Sequence, residues 1–275
     1  MLSPTRSLRK AAATGSEVVL PPALAPLTAA GVAFRRSQLV MVTGRPKAGK
    51  SNFVQWLVVT LNVPTLYNCW DMPAFTAAVR HAAIATGDET SAIAHHLGED
   101  GPGAGYYEDA MDASATEYSF DTKPELPDVQ QEIDAWVEKY DAYPEIIVCD
   151  NLLNIDGAEE DHRVQKFILR ELQDLARRTG ALVFVLHHAT EGAKDTSRPP
   201  AARETDGKVN QIPDLVLSVA NDGEGGFALA PVANRNGTSD PNADHPIRIH
   251  ADFGRMIFSQ YKPAVAPGWE HYAND

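Results

Sequence analysis

The sequence predicts an α/β fold with a mostly parallel central sheet flanked by helices, on three observations. Short apolar, β-branched runs alternate with stretches of helical period along most of the chain. One run, Gln38 to Thr43, leads through a glycine-bracketed loop into an apolar helix-like stretch, Asn52 to Leu61. Another, Glu145 to Cys149, ends on a lone carboxylate, Asp150, about a hundred residues further on.

The loop between the first run and its helix is Gly44-Arg45-Pro46-Lys47-Ala48-Gly49-Lys50-Ser51. It fits G-x-x-x-x-G-K-[ST] at every position, and strand–loop–helix is the context that pattern requires. There, backbone N–H groups and a helix N-terminus converge on phosphate oxygens. Lys50 would set its ammonium on the β- and γ-phosphates, and the Ser51 hydroxyl would ligate Mg²⁺. A nucleoside triphosphate such as ATP, with Mg²⁺, is the cofactor this implies. An Asp closing a later strand is where such proteins hold the same ion, which makes Asp150 the second metal-site candidate.

The other elements follow in order. Residues 1–22 mix Ser, Thr, Pro, Ala and basic residues without a period and are expected to be a mobile tail. A short helix or turn over 23–36 leads into the first strand. Pro64 to Trp70 reads as a second strand, and Ala74 to Ala85 as a helix. Residues 86–114 show no clear period and are expected to be a loop or insertion. His81, His95 and His96 lie in or near it and read as solvated surface histidines, because no cysteine stands at ligand spacing. Tyr118 to Phe120 reads as a short strand. Pro127 to Tyr140 reads as a helix burying Val129, Ile133, Trp136 and Val137. After Asp150, Asn151 to Glu160 is expected to be an exposed acidic loop. His162 to Arg178 is a helix with Val164, Phe167, Ile168, Leu172 and Leu175 on one side. Ala181 to Leu186 is a strand with His187 and His188 at its carboxyl edge, where ligands of open α/β sheets bind. Residues 189–212 read as polar and flexible. Asp214 to Val219, Phe227 to Val232 and Pro246 to His250 are further strands. One domain over 23–262, with a tail over 263–275, is the simplest organisation.

Composition narrows the function. With 275 residues, 44% hydrophobic and 22% charged, the chain is globular in character rather than disordered. It has no apolar run of membrane-spanning length and no secretory h-region, so a cytoplasmic location is expected, the host cytoplasm if a phage encodes it. Cys69 and Cys149 both fall in or beside strand-like runs and read as buried reduced thiols. Lys plus Arg is 24 against Asp plus Glu 37, a net charge of −13. Proteins that chiefly grip nucleic acid are usually basic, so any DNA contact must come from a local basic patch. Lys194, Arg198, Arg203 and Lys208 are the candidates for single-stranded DNA, and a solvated surface loop is the alternative for the same residues.

Taken together, the ordered motifs resemble the RecA-like ATPase core of DnaB-type replicative helicases, especially the single-domain kind encoded by bacteriophages. The resemblance spans roughly residues 24–260 and rests on five stretches. They are the phosphate loop, Cys69-Trp70-Asp71-Met72 resembling Ser-Leu-Glu-Met, the strand ending at Asp150, Leu186-His187-His188, and Arg235-Asn236-Gly237 resembling the family's Arg-Asn-Gly finger turn. It implies that Asp71 polarises the attacking water, the alternative being a helix N-cap before Pro73. It implies that His188 senses the γ-phosphate, His187 having the weaker claim, and that Arg235 completes a neighbouring subunit's site. A head-to-tail homo-oligomer, ring or filament, follows from that last role, with a replication protein as a further possible partner. Three departures stand out: Ala233 where the family usually has Lys, no N-terminal helical domain of the replicative-helicase kind, and acidic residues after Asp150. A regulatory or assembly module that binds nucleotide and a protein partner without tracking DNA is the rival reading.

Overall fold

In the computed structural model, residues 17–98, 103–159, 161–189 and 197–261 are described. Their elements run α1 (Ala25–Ala29), β1 (Leu39–Gly44), α2 (Lys50–Leu61), β2 (Thr65–Cys69), α3 (Ala74–Thr86), α4 (Thr90–Gly98), α5 (Ala104–Asp112) and β3 (Thr116–Ser119). There follow α6 (Leu126–Tyr140), β4 (Ile146–Asp150), α7 (His162–Thr179), β5 (Leu182–His188), β6 (Leu215–Asn221), β7 (Gly226–Asn234), β8 (Ile247–Asp252) and β9 (Ile257–Gln260).

The strands form one sheet in the order β3-β2-β4-β5-β1-β6-β7-β8-β9. The first six are mutually parallel, and β7, β8 and β9 extend the sheet antiparallel. The central parallel strands are buried on both faces, which is why they read as continuous apolar runs. Side-chain alternation divides each strand between two cores. Val40 and Val42 join Phe53, Leu57 and Phe184 on one face, while Leu39 and Met41 join Ile133, Leu169 and Leu172 on the other. α2 and α1 cover the first face, and α6 and α7 the second. Caps fix the helix ends: Asp161 accepts from the Arg163 N–H at 2.7 Å, and Gly180 closes α7 with φ of 77°.

Several expectations need correcting. Residues 17–22, assigned to the tail, are packed: the Val18 N–H donates to the Phe34 carbonyl at 2.8 Å and Glu17 pairs with Arg35 at 2.6 Å. Residues 1–16 and 262–275 lie outside the described residues. The stretch 86–114, expected as a loop, contains α4 and α5, whose Ile93 and Tyr107 are buried with Val79 and Met256 in a third, small core. His81 is not a surface residue; it is buried on α3, 2.9 Å from the Tyr118 hydroxyl, and burial lowers its pKa to about 4. The loop after Asp150 buries Leu152, Ile155 and Ala158 and exposes Asp156 and Glu159; Glu160 lies outside the described residues. Phe167 points outward, 55% exposed. β9 falls where the sequence reading had no strand. Both cysteines are buried free thiols, their pKa values pushed up to about 12 chiefly by burial. Among the described residues no helix is long and apolar enough to cross a membrane.

Candidate active site

At the carboxyl edge of β1, β2, β4 and β5 lies a cleft of about 440 Å³. Lys47, Gly49, Lys50, Ser51, Asp71, Asp150 and His188 all line it. The loop is shaped by its glycines. A methyl on Gly44 would lie 2.7 Å from the Val219 carbonyl oxygen of the adjacent strand, so β6 leaves no space for one. Gly49 takes φ of 89°, a left-handed conformation that frees the helix N-terminus to face the cleft. Lys47 also has a positive φ, 63°, and is exposed.

Lys50 opens α2 and folds back under the loop. Its Nζ donates to the Gly44 carbonyl at 3.0 Å and the Arg45 carbonyl at 3.1 Å, and lies 3.1 Å from His188 Nδ1. Burial pulls its pKa down to about 8, against the opposing pull of Asp150 and Asp71. His188 is shifted down too, first by burial and then by the Lys50 charge. An ammonium donor facing a neutral imidazole Nδ1 satisfies both shifts. A polyphosphate in the cleft would offer Lys50 anionic oxygens in exchange for these neutral acceptors.

Asp150 is fully buried at the end of β4, and burial raises its carboxyl to about 6. Ser51 Oγ donates to its Oδ1 at 3.1 Å and Tyr67 Oη to its Oδ2 at 2.9 Å, both bonds opposing that rise. Tyr67 in turn is held well above its ordinary pKa by burial and by Asp150. A hard oxygen pair, one of them a carboxylate strained toward protonation, suits a small divalent cation that keeps most of its waters. Asp71 stands exposed at the mouth, where Asn151 Nδ2 donates to its Oδ2 at 3.3 Å. It caps nothing: α3 has Pro73 at its N-cap with no side-chain cap bond. His187 is completely buried and turns away from the cleft lining.

Arg45 departs from the phosphate-binding expectation. Its guanidinium donates to the Arg198 carbonyl at 2.8 Å and lies 3.7 Å from Glu204, so it faces the segment after β5. Pro46 is exposed beside it, and Ala48 is buried under the loop. Arg235 is not in the cleft either. It follows β7, antiparallel to β6, pairs with Asp214 at 3.2 Å, and its backbone N–H donates to the Asp214 carbonyl at 2.8 Å. Asp214 also meets Leu39 at the start of β1, at 3.1 Å from the Leu39 N–H. The five steps from Leu39 to Gly44 then put roughly 17 Å of sheet between Arg235 and the phosphate loop.

The expected DNA-contacting set is dispersed. Arg198 spends its guanidinium on the Asn242 and Ala243 carbonyls and on Asp244 at 3.0 Å. Arg203 is exposed. Lys194 and the Lys208 side chain lie outside the described residues. Sequence reading missed Asn52, Thr76, Arg80, Asn151, Asn221 and Phe253 in the lining. Asn151 alone carried a signal, by following the strand-ending Asp.

This architecture recurs in solved proteins. The chain matches a free-standing ATPase domain at a TM-score of 0.74 with 14% identity, covering 94% of this chain and 97% of that one. It matches a DnaB-like replicative helicase, whose structure was determined with its interactions with primase, at the same TM-score and identity, covering 94% of this chain and 67% of that one. The fold is therefore that of the RecA-like ATPase core of DnaB-type helicases.

No protein-family model matches the sequence. The gene 65 protein of Mycobacterium phage L5 is 31% identical over 254 residues, 88% of this chain and 92% of the relative. That of Mycobacterium phage D29 is 27% identical over 215 residues, 75% and 92% of the two chains. The chain belongs to this family of mycobacteriophage gene 65 proteins.

Proposed function

We propose that the chain is a Mg²⁺-dependent ATPase that works as a head-to-tail homo-oligomer in phage DNA replication or recombination, in the host cytoplasm. The observation that carries the reading is the meeting of Lys50, Ser51, Asp71, Asp150 and His188 in one cleft, with Arg235 on the opposite sheet edge. In this reading Lys50 leaves the loop carbonyls for the β- and γ-phosphates, and Ser51 and Asp150 hold the hydrated ion. The ion, when bound, screens charge on the phosphates. Asp71, steadied by Asn151, accepts a hydrogen bond from the attacking water and aims it. His188 sits beside Lys50 and reads the γ-phosphate position. Arg235 is too far to serve its own site, and its half-exposed side chain is free to meet a neighbour's nucleotide once it leaves Asp214.

A second reading has its own support: a nucleotide-gated oligomeric module that engages a protein partner, such as a replication protein, without unwinding DNA. Arg198 is already committed to the 242–244 turn and the chain is acidic, so the basic surface for a strand is sparse. Steady-state ATP hydrolysis across a protein dilution series, with and without single-stranded DNA, decides between them. Activity rising steeply with concentration, stimulated by DNA and lost in Lys50→Ala and Arg235→Ala, is expected for the motor. Nucleotide binding without DNA-stimulated turnover, indifferent to Arg235, assigns the chain to the second reading.

A further inference from the structure

The phosphate cleft does not end at its loop. A second cavity of about 430 Å³ opens beside it, and the two share Asn52, Thr76, Arg80 and Phe253. Beyond that shared wall the chemistry changes. The first cavity is lined by lysines and carboxylates, the second by Phe75, Val79 and Met256 with the hydroxyls of Thr90 and Ser91. A nucleoside triphosphate divides in the same way, into a charged tail and a flat, weakly polar ring on a sugar.

The second cavity is built rather than incidental. α4 is joined to the β8–β9 turn: Glu89 pairs with Arg255 at 2.8 Å and the Thr90 N–H donates to the Gly254 carbonyl at 2.8 Å. Met256, from the same turn, is buried against Val79 and Ile93 and accepts a contact from Asn52 Nδ2 at 3.4 Å. Phe253 packs edge-on to Phe258, ring centroids 5.8 Å apart, and to Phe227 at 6.3 Å. Its ring reaches the phosphate loop only because residue 49 has no side chain; a Cβ there would lie 2.9 Å from it. At the junction stands Arg80, half-buried, and no described residue offers it a hydrogen bond or an ion pair. A guanidinium in that condition is a ready partner for an anion.

We infer that the second cavity receives the nucleoside half of the bound nucleotide, with the base stacked on Phe253 and Arg80 meeting the phosphate nearest the ribose. The inference rests on the nucleotide reading given above and adds which residues hold the end of the ligand that the phosphate loop cannot reach. It also gives α4 and its link to the β8–β9 turn a purpose, since they form the outer wall of the base site.

Calorimetric titration of the full chain with Mg²⁺ and either ATP or inorganic tripolyphosphate separates the two ends of the site. Wild type is expected to bind ATP well above tripolyphosphate. Phe253→Ala should weaken ATP roughly tenfold, the scale of one lost base–aromatic stack, and leave tripolyphosphate within about twofold. Because Phe253 also packs on Phe258, unchanged tripolyphosphate binding is the check that the loop survives, and the exposed Phe75→Ala is a second variant with little to lose in folding. Arg80→Ala should weaken both ligands, since it touches the anionic part. Equal affinity of wild type for ATP and tripolyphosphate, or full ATP affinity in Phe253→Ala and Phe75→Ala alike, overturns the base site while the phosphate site stands. Failure of wild type to bind either ligand overturns the nucleotide reading beneath it.

Discussion

Removing the charge of Asp150 should stabilise the ligand-free chain while disabling it. The carboxyl titrates near 6 in the folded protein against an ordinary 3.8, because it is buried and the Ser51 and Tyr67 bonds only partly offset that burial. Between those two pH values the folded chain keeps a proton the unfolded chain has lost, so stability falls as pH rises through the window and stays lower above it. Two pH units correspond to about 3 kcal/mol at neutral pH. In Asp150→Asn the amide keeps the shape but exchanges one acceptor for a donor, which weakens its bond with Ser51 or Tyr67 by about 1 kcal/mol. The net expectation is a gain of about 1–2 kcal/mol at pH 7.5, or roughly 3–6 °C in thermal midpoint for a chain of this size. Thermal melts from pH 4 to 8, with and without Mg²⁺ and ATP, are the assay. The variant should melt higher than wild type above pH 6, lose the fall between pH 4 and 6, and gain nothing from Mg²⁺ with ATP. A variant that melts lower than wild type at pH 7.5 with its pH dependence intact refutes the reasoning.

Tyr67→Phe removes the hydrogen bond that orients the second oxygen of Asp150, and should raise the Mg²⁺ concentration for half-maximal ATP binding roughly tenfold. Binding measured in a chelator should stay unchanged, and an unchanged Mg²⁺ midpoint argues against an orienting role. Gly44→Ala sets a methyl against the Val219 carbonyl between two central strands, and about 2 kcal/mol of stability should be lost in denaturant melts. Arg198→Ala breaks its bonds to the 242–244 turn, lowering stability by about 1 kcal/mol, and leaves the salt dependence of any single-stranded DNA binding unaltered. A shallower salt slope in that variant would return Arg198 to the strand-binding set.

What could be read in the sequence, and what could not, divides along physical lines. β1, β4 and β5 were legible because parallel strands buried on both faces need unbroken apolar runs, and the phosphate loop because backbone geometry ties it to glycines at fixed positions. α4 and α5 were not, since helices of nine residues each resting on a small core supply only one or two apolar anchors apiece, too few to show a period. His81 looked like a surface residue because nothing in its neighbours along the chain reveals that Tyr118, 37 residues later, returns to meet it. Arg198 looked like a free cation for the same reason: its acceptors lie over forty positions away. Lys50, Ser51, Asp71, Asp150 and His188 do gather in one cleft, whereas Arg80 and Phe253 there belong to no short pattern and emerge only once α3 and the β8–β9 turn are seen side by side.

Arg45 sits inside the phosphate loop yet grips the segment after β5, through the Arg198 carbonyl and Glu204. That segment is itself held, by Ser218 Oγ on the Pro200 carbonyl at 2.7 Å and by Arg198 on the turn at 242–244. The loop is thus moored to two distant stretches of chain, and tension applied at one end is felt at the other. An anion that tightens the loop should slow amide deuterium exchange at Ala201, Glu204 and Ala243, whose N–H bonds all lie along that mooring.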